Sequence, residues 1–311
     1  MSEILFEQTS FLSADGQTAV AAYFWYSEAT TPRAIIQLSH GMCEYVTRYD
    51  AWARRFVEAG YVFCGNDHLG HGNTAKSKND LGFMAKRGGA ELLVEDVHQM
   101  TRLAKEKFSG VPVVLYGHSM GSFVARLYLP RYGEELAGAL ISGTAGPGQP
   151  TGLGKKMAHL TGAIRGDHHR SKLLTAMAFG GYNKKFKEEK SPFSWLTRDE
   201  SVRAKYGADP YCTFVFTAAG YDTLFSLLGA VSDKRWANGV PKTLPLLLFS
   251  GDMDPVGAYG KGVKKVYDRL NAAGCNVQLR LYADGRHEMH NEINADEVFA
   301  DLVAYLEEIL K

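Results

Sequence analysis

Residues 117–121 read Gly-His-Ser-Met-Gly, a G-x-S-x-G pattern that can make a serine nucleophilic. The pattern follows the apolar run 111–116 and precedes a stretch of helical character at 122–132. Strand, sharp turn and helix form the context in which a serine hydroxyl is lifted clear of a sheet. The flanking glycines leave room for the turn, because a Cβ there would crowd the strand against the helix. The pattern therefore predicts Ser119 as a nucleophile that needs a base to take its proton.

A histidine that could take this proton follows a late apolar run. Residues 277–282 read as a strand, and His287 lies in the segment just after it. Ligands of a parallel sheet bind at the carboxyl ends of its strands, so catalytic side chains are expected directly after strands. The other histidines lack either this position or the chain order Ser, Asp, His. We expect His118 to point away from the turn and most of the others to be structural.

Two aspartates follow the apolar run 244–249 and could orient His287. Asp252 and Asp254 both lie in the segment Gly-Asp-Met-Asp-Pro, and the residues alone leave the choice between them open. The aspartate would hold the tautomer of the histidine and stabilise the imidazolium that forms transiently. Either one completes the chain order Ser, Asp, His that is known for one group of such triads.

Two backbone N–H groups are also needed, since negative charge develops on the oxygen of the attacked carbonyl. Met120, directly after the serine, is predicted to supply one of them. The second is expected from the loop after an early strand. Residues 34–39 read as that strand, and Met42 lies in the loop that follows. Loss of one such donor typically costs about 100- to 1,000-fold in rate.

Apolar runs alternate with helical patterns over most of the chain. This alternation predicts an α/β fold with a doubly wound, mostly parallel sheet and helices on both faces. The predicted strands are 34–39, 61–64, 111–116, 136–142, 244–249 and 277–282, and the predicted helices are 49–59, 91–108, 122–132, 262–273 and 295–310. Residues 9–12 and 20–26 are expected to form an antiparallel hairpin at the edge of the sheet.

Residues 146–240 interrupt the alternation and are predicted to form a helical cap inserted into one core, made of residues 1–145 and 241–311. The segment opens with Gly-Pro-Gly-Gln-Pro, a loop signal, and is then mostly helical in character and rich in apolar side chains. It carries 14 Lys and Arg against 8 Asp and Glu, a net charge of +6 in a chain whose total is +1. An apolar lid suits an acyl chain, and the positive charge suits an anionic interface.

Composition and charge narrow the expected partners. The 311 residues are 45% hydrophobic and 22% charged, and the net charge of +1 gives no reason to expect a nucleic-acid partner. The four cysteines form no C-x-x-C pair, and no phosphate loop or dinucleotide fingerprint is found, so we expect no metal and no cofactor. Without a signal-peptide pattern or an apolar run long enough to span a bilayer, a cytoplasmic protein is expected.

Several segments together resemble the monoacylglycerol lipase and lysophospholipase group of serine hydrolases, which is catalogued with the serine aminopeptidase-like α/β-hydrolases. They are residues 38–44 with 48–49, 66–72, 117–122, 251–255 and 285–288. In that family the acid is the fourth residue of a G-x-x-D turn, which selects Asp254 over Asp252. Its base is the histidine of an R-H-E segment, which matches His287. The resemblance implies an α/β-hydrolase fold, while Ser122 replaces the glycine that is more usual in that family's helix following the nucleophile.

The resemblance implies hydrolysis of a carboxylic ester, of monoacylglycerol or lysophospholipid type, through an acyl-enzyme intermediate. The expected partner is a small acyl ester, with the cap as the surface for transient contact with a membrane or micelle. The cap is the least matched part, so three alternatives stay open. An aminopeptidase needs cap carboxylates for a free amino terminus, and the eight cap acids form no obvious cluster. An acyltransferase shares the acyl-enzyme step. A non-catalytic binding protein usually lacks a triad member or donor, and none is lacking here.

Overall fold

One mixed sheet organises the chain in the computed structural model, which describes residues 3–311. Its strands are β1 (Leu5–Leu12), β2 (Ala19–Tyr26), β3 (Ile35–Ser39), β4 (Val62–Asn66), β5 (Val113–His118), β6 (Gly138–Ser142), β7 (Leu246–Gly251) and β8 (Val277–Tyr282). They lie in the order β1-β2-β4-β3-β5-β6-β7-β8. β2 is antiparallel to β1 and β4, and the other neighbours are parallel. The predicted mostly parallel sheet is confirmed.

Helices cover both faces of the sheet. Outside residues 146–240 they are α1 (Asp50–Glu58), α2 (Gly89–Lys107), α3 (Met120–Tyr132), α8 (Lys261–Ala272) and α9 (Ala295–Ile309). Trp52 of α1 and Leu302 of α9 pack in one apolar cluster with Tyr116 of β5. Val124 of α3 packs in another cluster with Leu115, the neighbour of Tyr116. Because neighbouring side chains of a strand point to opposite faces, these two clusters lie on opposite sides of the sheet.

The central strands β5 and β7 differ in burial from the edge strand β1, and this difference explains how well these three strands were predicted. Every residue of β5 and β7 is buried, so these strands read as continuous apolar runs. β1 alternates between half-buried and exposed residues along its whole length. It begins at Leu5 instead of the expected Thr9. The backbone pairing with β2 extends to Leu5, opposite Tyr26, although residues 7–10 along the strand are all polar.

Residues 146–240 lie between β6 and β7 and contain the helices α4 (Thr151–Arg165), α5 (Lys172–Phe179), α6 (Glu200–Ala208) and α7 (Ala218–Ser232). The helical character predicted for this segment is confirmed, while its division from the core stays a prediction. α4 and α7 approach each other closely at Gly154. A Cβ added there would lie 2.8 Å from the ring of Phe225, so any larger residue would displace that ring. α7 is mostly buried and joins the apolar cluster that contains α3.

Candidate active site

The turn between β5 and α3 holds Ser119 in a strained backbone conformation. Its φ of 52° and ψ of −121° lie in a region that non-glycine residues rarely adopt. A Cβ on Gly121 would lie 1.9 Å from the carbonyl oxygen of Ser39, and one on Gly117 would lie 2.7 Å from the Cβ of Ala125. α3 can therefore approach the sheet this closely only with glycine on both sides of the serine, as the sequence argument required.

Ser122, in the first turn of α3, stabilises the backbone at Ser119. Its hydroxyl donates a hydrogen bond of 2.5 Å to the carbonyl oxygen of Ser119, and its N–H donates to the same oxygen at 2.9 Å. The Ser119 N–H in turn donates to the carbonyl of Ser142 on β6 at 3.0 Å. The serine backbone is thus held from two elements, and the side chain at position 122 adds a contact that glycine could not make.

His287 and Asp254 form a buried pair. The imidazole Nδ1 lies 3.0 Å from Asp254 Oδ2, and both residues are almost wholly shielded from solvent. The same carboxylate accepts hydrogen bonds from the Ser250 hydroxyl at 3.1 Å and from the Val256 N–H at 2.8 Å. An ionised carboxylate can only accept, so Nδ1 carries the proton and Nε2 is the basic nitrogen. Burial lowers the pKa of His287, but the charge and hydrogen bond of Asp254, together with the charges of Glu288 and Glu44, outweigh burial and raise the pKa overall.

The second aspartate of this loop has a different contact. Asp252 Oδ1 accepts a hydrogen bond of 2.8 Å from the backbone N–H of Asp284, at the surface of the loop that leads to His287. Asp252 thus closes a turn, while Asp254 is the carboxylate that contacts the imidazole. The geometry agrees with the choice implied by the family resemblance, a choice that the residues alone left open.

His118 lies beside His287, contrary to the expectation that it points away from the turn. The two ring centroids are 4.9 Å apart, and His118 Nδ1 lies 3.2 Å from the Ser142 hydroxyl. Burial and the neighbouring His287 keep the pKa of His118 well below its ordinary value, so this ring is neutral. Within residues 3–311, no cluster of three or more His, Cys, Asp and Glu side chains is arranged to hold a metal ion.

The loop after β3 passes close to the serine. A Cβ on Gly41 would lie 2.9 Å from the Cβ of Ser119, and the Gly41 N–H is donated to Glu44 Oε1. Met42 and Met120 both line the cavity that Ser119 faces. The first N–H groups of a helix have no intrahelical acceptor, and Met120 is the first residue of α3. Both residues thus lie at the cavity beside Ser119, and their role as oxyanion donors stays a prediction.

A buried arginine joins the loop of Met42 to the loop of the base. Arg48 donates two hydrogen bonds to Glu288, at 2.6 and 2.8 Å, and one to Glu44 at 3.0 Å. Burial raises the pKa of Glu288, but the charge and hydrogen bonds of Arg48, with smaller contributions from His290 and Asn291, outweigh burial and keep the pKa low. Sequence reasoning assigned no role to these residues, although all three lie in or beside the segments that carried the family resemblance.

A stretch of the 146–240 segment is fixed to the base loop by hydrogen bonds. The Glu288 N–H donates to the Leu196 carbonyl at 2.7 Å, and Arg286 pairs with Glu189 and donates to the Ser194 carbonyl at 2.5 Å. The indole of Trp195, between these contacts, packs against the His287 ring. Sequence reasoning missed this arrangement, because no periodic pattern or motif links residues so far apart in the chain.

A cavity of about 240 Å³ opens beside Ser119 and His287. Its apolar wall includes Met120, Phe123, Ala178, Phe179, Leu224, Phe225, Leu228 and Val256, and its polar side chains include Glu44, Thr213, Tyr206 and Glu288. Among residues 3–311, no hydrogen bond joins the Ser119 hydroxyl to His287, although both face this cavity. Such catalytic bonds commonly tighten only when substrate binds.

The sequence pattern of one family covers most of the chain. The family described as serine aminopeptidase, S33 matches residues 30–294. The chain belongs to this family. A monoacylglycerol lipase of Mycolicibacterium smegmatis is 28% identical over 302 residues, which cover 96% of this chain and 95% of that relative. A monoglyceride lipase of Homo sapiens is 26% identical over 91% of this chain and 84% of the relative.

Solved structures extend the comparison to the fold of this S33 family member. A highly thermostable carboxyl esterase from Bacillus coagulans, solved in complex with glycerol, superimposes with a TM-score of 0.92 at 28% identity. The match covers 98% of this chain and 99% of that one. The expected α/β-hydrolase fold and the family resemblance are confirmed, and the chain is a member of the serine ester hydrolases.

Proposed function

We propose that this protein hydrolyses single-chain acyl esters, of monoacylglycerol or lysophospholipid type, with Ser119, His287 and Asp254 as its triad. The observation that carries the proposal is the buried 3.0 Å contact of His287 with Asp254, at a cavity that also exposes a strained serine. A histidine with its Nδ1 proton held by a carboxylate presents Nε2 as a general base. The names of the relatives support the same chemistry.

The mechanism proposed for these residues has two half-reactions. His287 Nε2 takes the Ser119 proton while Oγ attacks the ester carbonyl, and the Met42 and Met120 N–H groups bind the resulting oxyanion. The C–O bond to the alcohol then breaks, and His287 returns the proton to the leaving alkoxide. Water repeats the sequence on the acyl-enzyme, releasing the fatty acid and restoring the serine. Asp254 stays ionised throughout and stabilises the imidazolium.

The shape of the cavity supports an acyl chain as the bound group. The side chains of Leu224, Phe225 and Leu228 project from α7 into the same cavity as Ser119. Burial of apolar surface contributes about 0.8 kcal/mol per methylene, so each further carbon of the chain strengthens binding until the cavity is filled. This wall supports a role of the 146–240 segment in substrate choice.

The cavity supports an ester hydrolase over an aminopeptidase. A free amino terminus needs a carboxylate that is not already paired. The carboxylates on the cavity wall, among residues 3–311, are Glu44 and Glu288, and both are bound to Arg48. No Asp or Glu from the described segment 146–240 lines the cavity. An acyltransferase would use the same groups, so the acceptor of the acyl group has to be tested directly.

The proposal places lipid contact on the outer face of α4 and α5. Leu153, Leu160, Ile164 and Leu173 are 58%, 52%, 68% and 54% exposed, respectively. Lys155, Lys156, Arg165 and Lys172 share these helices. An apolar stripe beside lysine and arginine suits an anionic lipid surface. Within residues 3–311, no helix has the length and apolar character needed to cross a bilayer.

A substrate panel tests this function. Wild type and Ser119→Ala are assayed with monoacylglycerols of increasing chain length, lysophosphatidylcholine and aminoacyl amides, with and without an added alcohol as acyl acceptor. The proposal predicts turnover of the single-chain esters, release of free fatty acid, and loss of activity in Ser119→Ala. Turnover of the amides alone would assign an aminopeptidase, and transfer to the alcohol without fatty-acid release would assign an acyltransferase.

A further inference from the structure

His40, in the loop after β3, has a tautomer that the fold fixes. It is fully buried, and its Nε2 accepts a hydrogen bond of 2.9 Å from the backbone N–H of His68. A backbone N–H can only donate, so Nε2 of His40 carries no proton. A neutral imidazole with a bare Nε2 is protonated at Nδ1. His40 Nδ1 lies 2.8 Å from the Gly41 carbonyl oxygen and therefore donates to it.

The neutral state of His40 is the one its surroundings support. Burial, with His68 and His71 nearby, lowers the pKa of His40 well below its ordinary value. A proton on Nε2 would face the His68 N–H and break that hydrogen bond. His68 is itself held, because its Nε2 lies 3.1 Å from the hydroxyl of Ser39. The acceptor side of His40 is thus anchored on β3 and on the segment after β4.

The Gly41 carbonyl and the Met42 N–H belong to one peptide group. Peptide bonds among residues 3–311 are trans, and in a trans peptide the C=O and N–H bonds point in opposite directions. A hydrogen bond that fixes the carbonyl oxygen therefore fixes the direction of the Met42 N–H. The N–H of Gly41 is already donated to Glu44, so it is not free to bind an oxyanion.

We infer that His40 is the positioning residue of the oxyanion loop, acting through the Gly41 carbonyl to aim the Met42 N–H at the cavity. The inference rests on the proposed function, because it takes the Met42 N–H as an oxyanion donor. His40 touches neither substrate nor Ser119 in this scheme. Its contribution is to hold a peptide plane that would otherwise be free to rotate in an irregular loop.

Two variants separate the donor of His40 from its acceptor. The amide nitrogen of His40→Asn sits as many bonds from the backbone as Nδ1 and can donate to the Gly41 carbonyl. The amide of His40→Gln reaches the Nε2 position and can accept from His68, but it leaves no donor near Gly41. We expect His40→Gln to lower kcat about 100-fold, as for loss of an oxyanion donor, with KM changed less than about threefold. His40→Asn should recover most of kcat.

A transition-state analogue distinguishes positioning from a merely structural role. An alkyl trifluoromethyl ketone forms a tetrahedral adduct with a catalytic serine, whereas the product fatty acid does not. His40→Gln should weaken inhibition by the ketone by the same factor as kcat, and should leave fatty-acid binding unchanged. Equal ketone affinity in wild type and His40→Gln would overturn the inference. Activity retained in Ser119→Ala would instead overturn the proposed function, so the two failures are distinguishable.

A measurement on the wild type keeps the inference testable if the variants fold poorly. A long-range ¹H–¹⁵N correlation spectrum shows which ring nitrogen of each histidine carries the proton. The inference requires His40 to be neutral and protonated at Nδ1 across the pH range of activity. A proton on Nε2 in that range would contradict it.

Discussion

The indole of Trp195 packs against the imidazole of His287, with ring centroids 5.0 Å apart. Trp195 belongs to the segment 146–240, while His287 follows β8. The His287 N–H also approaches the Trp195 carbonyl, at 3.4 Å. The segment 146–240 therefore contacts His287 and also lines the cavity beside Ser119. A cation beside an aromatic ring gains about 0.5–2 kcal/mol, and the imidazolium of the proposed mechanism is such a cation.

We predict that Trp195→Leu lowers kcat about three- to tenfold, because the imidazolium loses an aromatic neighbour worth about 1 kcal/mol. Trp195→Phe is the matched control, since it keeps an aromatic face and should recover most of the loss. The measurement is steady-state kinetics with a short-chain ester, since a short acyl chain keeps any effect of the variant on acyl binding small. Equal kcat values for the leucine and phenylalanine variants would show that the aromatic ring does not stabilise the imidazolium.

The acid limb of kcat/KM should have its midpoint above 6.5, the ordinary pKa of a histidine. Catalysis needs His287 neutral. Burial lowers its pKa, but the charge and hydrogen bond of Asp254, with the charges of Glu288 and Glu44, raise it overall, so activity is lost as the pH falls through this raised value. A pH profile between 5 and 9 measures the midpoint. A midpoint well below 6.5 would show that burial has the larger effect on His287 and that Asp254 does not raise its pKa as described.

Asp254→Asn should lower kcat by about 10⁴-fold, because an amide in that position can hold the wrong tautomer of the histidine. Asp252→Asn is the matched control, since it changes the same group two residues away and loses only the hydrogen bond from Asp284. Its kcat should stay within about tenfold of wild type. The kcat values of the two variants are compared at constant pH. A larger loss in Asp252→Asn than in Asp254→Asn would assign the acid to Asp252.

Gly121→Ala should give little folded, active protein. Its Cβ would lie 1.9 Å from the Ser39 carbonyl oxygen, so α3 would have to move away from the sheet and carry the Ser119 turn with it. Gly152→Ala is the control, because no atom lies within 4 Å of the added Cβ and alanine favours the helix by about 1 kcal/mol. Thermal unfolding and activity should show a loss for the first and none for the second.

Sequence patterns predicted the strands before Ser119 and Asp254, because β5 and β7 are buried along their whole length and read as unbroken apolar runs. The β8 strand was predicted at 277–282 with its observed bounds. The edge strand β1 was only partly predicted, since residues 7–10 in its middle are all polar. The residues left Asp252 and Asp254 equivalent. The family resemblance favours Asp254, and Asp254 is the one that contacts His287.

The contacts around the base could not be predicted from the sequence. Arg286 and Glu189 are distant in the chain, and neither lies in a pattern that names the other. The side chain of His118 was expected to point away from the turn, yet its ring packs against that of His287. Such pairs depend on how loops meet above the sheet, which local spacing does not encode.

Covalent labelling shows whether Ser119 is the reactive nucleophile. Wild type, Ser119→Ala and Ser122→Ala are treated with an alkyl fluorophosphonate, and the adducts are measured by intact mass and located by peptide mapping. The account predicts one adduct on wild type and on Ser122→Ala, located at Ser119, with loss of esterase activity, and no adduct on Ser119→Ala. Equal labelling of Ser119→Ala, or an adduct located elsewhere with the same loss of activity, would contradict it.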